Sequence, residues 1–68
     1  MSGQECARTL ARLGFVIVRQ RGSHVVMRNG EHGCVMPMHR ELKTGTLHGL
    51  LRQGGVDAVA FLAAARGK

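Results

Sequence analysis

Proton transfer near neutral pH is open to four side chains of this 68-residue chain, His24, His32, His39 and His48, because imidazole titrates in that range. His24 stands apart by its setting. It ends the run Arg19-Gln20-Arg21-Gly22-Ser23-His24, where a turn dipeptide and two arginines precede it. Ten Lys and Arg oppose four acids, for a net charge of +6, and eight of the ten are Arg. The guanidinium fork suits phosphate oxygens. Such an excess on a small chain points to a polyanion or an acidic protein surface, with a merely solubilising surface as the competing reading.

Other chemistries fit less well. The spacing of His24, His32, Cys34 and His39 matches no recognised zinc pattern, so no metal is expected. Gly22-Ser23-His24 is not a serine-nucleophile motif, since a Ser is seldom aimed at the base beside it in sequence and no orienting acid is evident. Cys6 and Cys34 lack CxxC spacing and fit better as small buried apolar residues than as a disulfide. The four acids are also spread out. Glu5 and Asp57 sit at helix starts, Glu31 is expected opposite Arg28 in a hairpin, and Glu41 lies in a basic loop. No two are placed to hold a pair of metal ions.

Residues 14–36 must position His24. Short runs rich in Val, at residues 15–20, 23–28 and 31–36, are separated by turn residues. That length and composition favour strands, arranged as an antiparallel meander. Asn29-Gly30 suits a two-residue hairpin turn, which would pair Arg28 with Glu31, Val26 with Gly33 and His24 with Val35. Arg21-Gly22 separates the first two strands. Ser23, Val25, Met27, His32, Cys34 and Met36 then share the more apolar face, which should be buried. His24, Val26 and Arg28 fall on the other, within reach of a ligand.

Helices flank the meander. Ser2-Gly3-Gln4-Glu5 is a capping-box pattern opening a helix over residues 2–13, with Cys6, Leu10 and Leu13 as its apolar stripe and Gly14 as its stop. Pro37 ends the third strand or lies on a sheet edge. A second helix opens at Thr44-Gly45-Thr46 with Thr44 as cap, buries Leu47, Leu50 and Leu51, and stops at Gly54-Gly55. Asp57 caps a last helix to about Ala65, where Val59, Leu62 and Ala63 share one side with Phe61 nearby. The order α-β-β-β-α(-α) gives an α+β fold, a three-stranded antiparallel sheet with helices on one face. Residues 1–68 suffice for one domain. Only Phe15 and Phe61 are aromatic, so the core must be aliphatic. No apolar run is long enough to span a membrane, and no signal pattern opens the chain, so a cytoplasmic location is the simplest expectation.

Taken with their spacing, these residues resemble a known family. Gly14-Phe15, Arg19-Gln20-Arg21-Gly22-Ser23-His24, Pro37-x-His39, Glu41-Leu42-Lys43-x-Gly45-Thr46-Leu47 and Leu51-x-Gln53-x-Gly55 together look like the HicA toxin family, over nearly the whole chain. The resemblance implies a double-stranded-RNA-binding-domain-like fold. It implies a small ribonuclease that cleaves mRNA, a type II toxin held inactive by a HicB-type antitoxin. The family's catalytic His follows Gly-Ser, which falls on His24. The chain departs from the family in a shorter turn between the second and third strands, and in Met27, where an aromatic residue is frequent.

Without the resemblance, an exposed polar residue at a turn is the more common explanation of such a histidine. With it, His24 becomes the expected catalytic residue, without a cofactor. Arg19, Arg21, Arg28 and Lys43 become candidates to bind the RNA backbone and stabilise charge, and Ser23 to orient His24 or contact phosphate. His39 matches a family position and is open to a structural or phosphate-binding role. The expected assembly is a monomer when free and a hetero-oligomer with an antitoxin covering His24. Two other readings use the same charge: a non-catalytic RNA-binding module, and a basic protein that only docks on an acidic partner.

Overall fold

The computed structural model describes residues 1–67, in the order α1 (Gly3–Arg12), β1 (Val16–Arg21), β2 (His24–Asn29), β3 (His32–Pro37), α2 (Thr44–Gln53) and α3 (Ala58–Arg66). The strands form one antiparallel sheet in the order β1-β2-β3. This is the α+β arrangement that the element order predicts, and it is consistent with the double-stranded-RNA-binding-domain-like fold that the resemblance implies.

α1 starts where the capping box predicts. The Ser2 hydroxyl accepts from Glu5 N at 3.0 Å, and the Glu5 carboxylate accepts from Ser2 N at 2.9 Å. Gly14 follows the helix at φ 99°, a conformation that costs glycine little. Cys6 and Leu10 are fully buried and Leu13 is half-buried. They meet the sheet face made by Val25, Met27, Cys34 and Met36, joined by Phe15, Leu42, Leu50, Leu51 and Phe61. Burying each of the larger side chains stabilises the fold by about 1.5–3 kcal/mol.

The hairpin turns differ from expectation. Both loops place glycine first, as Gly22-Ser23 and Gly30-Glu31, with Gly22 at φ 58° and Gly30 at φ 62°. Asn29 stays in β2, pairs with His32, and donates its side-chain amide to Leu13 O at 3.2 Å. Each strand therefore lies one residue further along the chain than its apolar run suggests. The expected β2–β3 pairs become Arg28 with Gly33, Val26 with Val35 and His24 with Pro37. Glu31 sits in the turn and not opposite Arg28. The shift is two residues, an even number, so every side chain keeps its expected face.

The second and third helices also correct the sequence reading. Lys43, not Thr44, is the N-cap of α2, and no side chain caps it. Asp57 caps α3 as expected, accepting from Ala60 N at 3.0 Å. Its buried residue is Phe61, whereas Val59 and Leu62 are 74% and 56% exposed. α3 packs against α1, and the Arg12 guanidinium fastens its C-terminal end through Ala64 O at 2.8 Å and Gly67 O at 2.9 Å.

Candidate active site

Paired residues of antiparallel strands project to the same face, so the register assigns the open one. β2 gives it His24, Val26 and Arg28; β1 gives it Arg21 opposite His24, Arg19 opposite Val26 and Val16 opposite Arg28. A bulge between Ile17 and Arg19 resets the alternation along β1. It turns Ile17 toward the helix side with its partner Met27, while Arg19 and Arg21 stay beside His24. Met27 is 1% exposed and faces the core. A side chain at position 27 therefore points away from the open face.

His24 opens β2 immediately after the Gly22-Ser23 turn. It borders a cleft of about 360 Å³ whose other walls are Pro37, His39, Glu41, Leu42, Lys43 and Thr46. Pro37 is the cross-strand partner of His24, and pairing continues one step further, with Met38 N donating to Ser23 O at 2.7 Å. The loop of residues 38–43 is then held by the start of the chain. Gly3 N donates to His39 O at 2.8 Å, Leu42 N donates to Met1 O at 2.9 Å, and the Met1 ammonium pairs with Glu41 at 2.8 Å. A side chain at position 3 would collide with Pro37 O and come within 2.8 Å of Met38 Cα, so glycine is needed for this approach. Leu42, 6% exposed, anchors the far side of the loop in the core.

The predicted site residues divide into two groups. His24 and Lys43 share the cleft, Arg21 stands directly across from His24, and Ser23 precedes it in the turn. Arg19 lies two residues further along β1. Arg28 shares the open face but lies at the other end of β2, four residues or about 13 Å away. Its guanidinium reaches back toward Gly30 O at 3.5 Å. The cleft also includes His39, Glu41 and Thr46. All three lie in the motifs that carry the family resemblance, but the sequence left His39 open to a structural or phosphate-binding role and assigned none to Glu41 and Thr46.

Charge on this side is left uncompensated. Among the described residues the Met1–Glu41 pair is the only salt bridge, so Arg19, Arg21, Arg28 and Lys43 face solvent without a carboxylate partner. Glu5 is engaged by Ser2, which with the backbone hydrogen bond holds its carboxyl below the usual range. His32 lies away from the cleft against Gly55, and His48 is exposed on α2. Among the described residues no three His, Cys, Asp or Glu side chains lie together as a metal site would require.

Residues 3–56 match the family described as HicA toxin of bacterial toxin-antitoxin systems. The chain belongs to the HicA toxin family. The match runs from α1 through the whole sheet, the cleft and α2, and ends before α3. No curated protein matches the chain. As a HicA-family member it is the toxin of a toxin–antitoxin system, which implies an antitoxin partner. No helix among the described residues is long and apolar enough to cross a membrane.

Proposed function

We propose that this HicA-family toxin, residues 1–68 acting as one domain in the cytoplasm, is an endoribonuclease that cleaves mRNA through His24. A HicB-type antitoxin silences it by covering that residue. The observation that carries this reading is His24's position on the open basic face, across from Arg21 and at the mouth of the cleft. A pure binder would need the arginines but no titrating group there.

The chemistry follows from what this face offers. The nucleophile is the RNA's own 2′-OH, which DNA lacks. His24 accepts its proton as the new 2′-oxygen–phosphorus bond forms and the bond to the 5′-oxygen breaks. Arg21 and Lys43 offset the charge that builds on the phosphoryl oxygens. Arg19 and Arg28 hold the backbone on either side, and Ser23 orients His24 or contacts phosphate. The carboxylates are dispersed, so proton transfer and positive charge carry the reaction.

Cleavage of an RNA oligonucleotide by the purified chain should persist in excess EDTA and spare DNA of the same sequence. It should leave a 2′,3′-cyclic phosphate and a free 5′-OH, and stop when the 2′-OH at the cut site is replaced by hydrogen. Activity lost on chelation and restored by magnesium, with 5′-phosphate products, would overturn the mechanism. RNA binding with no cleavage at all would leave only the binding module.

Inhibition follows from the same surface. An acidic antitoxin surface would meet unpaired arginines and bind fast and with salt sensitivity. Apolar contacts would hold the complex once formed.

A further inference from the structure

We propose that His39 is the general acid that protonates the departing 5′-oxygen; the assignment rests on the ribonuclease reading above. Transesterification at phosphorus needs two proton transfers, one from the attacking 2′-OH and one to the leaving oxygen, and a single imidazole on one side of an in-line displacement serves only the first.

His24 and His39 line the same cleft from different elements, one from the start of β2 and the other from the loop after β3. Pro37 lies between them as the strand partner of His24 and the residue two before His39. Paired Cα atoms sit about 5 Å apart, and two residues of chain add at most about 7 Å. The two Cα atoms are therefore within about 12 Å of each other, close enough for both imidazoles to reach one phosphodiester. The backbone at His39 is fixed on both sides, through Met38 N to Ser23 O and through Gly3 N to His39 O. This distant tethering fixes a backbone position that a solvent-exposed loop residue does not need.

The rest of the cleft lining cannot fill the role. An alkylammonium such as that of lysine and a hydroxyl such as that of threonine are both far weaker acids than imidazolium. Glu41 is a carboxylate paired with the Met1 ammonium, an acceptor and not a donor. Pro37 and Leu42 have no proton to give. The step balances with His39 protonated at the outset. The 2′-OH proton passes to His24 as the 2′-oxygen–phosphorus bond forms, the bond between phosphorus and the 5′-oxygen breaks, and the His39 proton ends on that oxygen to give the free 5′-OH. Solvent then restores both imidazoles.

The test uses two RNA oligonucleotides that differ in one atom, an ordinary 5′-oxygen or a bridging 5′-sulfur at the cut site. Thiolate leaves without protonation, so the sulfur substrate makes a general acid dispensable. Native chain, His24→Ala, His39→Ala and His39→Asn are compared on both, with thermal melting to verify folding. His39→Ala and His39→Asn should lose about 100-fold or more on the oxygen substrate, yet stay within about tenfold of the native rate on the sulfur substrate. His24→Ala should fail on both. Equal slowing of the His39 variants on both substrates would reduce His39 to a binding or positioning residue and overturn the proposal, as would no effect on either. Rescue of His24→Ala by sulfur would reverse the two roles and overturn it equally. Failure of the native chain to cut either substrate would instead remove the ribonuclease reading, and this assignment with it.

Discussion

The two faces of the sheet are built from alternate residues of the same strands, yet they do opposite work. Val25, Met27, Cys34 and Met36 are at most 2% exposed, and with the helices they make the core. Burial pushes the Cys6 thiol up to about 12 and raises that of Cys34, so both stay neutral and act as small apolar groups. On either side of Val25 in β2 lie His24 and Val26, the first exposed to solvent and the second half-buried. On this face Arg19, Arg21 and Arg28 are exposed and have no carboxylate partner among the described residues. Strand alternation separates the core from the face on which the proposed chemistry would take place, so substitutions on that face should leave the chain folded.

The sharpest break of that comparison is a truncation on the inner face. Met36→Ala leaves a cavity beneath fully buried neighbours and should cost about 2–5 kcal/mol. In a chain of this size each kcal/mol lowers the melting temperature by about 4–8 °C. Thermal melting followed by circular dichroism would measure it. A loss below 1 kcal/mol would mean the inner face is not the core.

On the outer face the expected effects fall on RNA and not on folding. Arg21→Glu should weaken binding by about tenfold, equivalent to roughly 1.4 kcal/mol, with little dependence on RNA sequence, because phosphate contacts carry no base information. Fluorescence anisotropy at several salt concentrations should also show native affinity falling as salt rises and a shallower slope for the variant. Salt-independent binding would contradict the electrostatic account.

The smallest effect lies outside both faces. Ser2→Ala removes the capping-box hydroxyl and should cost about 1 kcal/mol. Urea denaturation would resolve it, and RNA cleavage by the folded fraction should be unchanged. A larger effect on cleavage than on stability would show that the start of α1 shapes the cleft more directly than its backbone contacts imply.

Local signals made much of this legible in the sequence. The capping box at Ser2 and Glu5, the stop at Gly14, the Asp57 cap and the alternation along β2 and β3 each depend on residues a few positions apart. The exact turns did not follow, because Asn29 is kept in β2 by its bond to Leu13 O, sixteen residues away. The face assignment survived only because the shift was even. Phe61 could not be told from Val59 and Leu62 by helical spacing, since packing against α1 decides which side is buried. His24 was visible from its Gly-Ser setting, and the basic residues from charge. The cleft was not, because the loop carrying His39 is placed by Met1 and Gly3 at the start of the chain, far from it in sequence. No pattern local to residues 38–43 encodes that contact.

His24 is proposed to do chemistry on a face that contributes little to stability, and His24→Ala separates the two properties. Native chain and variant would be induced in cells, with growth and bulk mRNA followed over time, and the purified variant would be melted beside the native protein. The account expects His24→Ala to melt within about 0.5 kcal/mol of native, as a surface substitution should, while mRNA stays intact and growth continues. Full mRNA loss and growth arrest from a normally folded His24→Ala variant would contradict it.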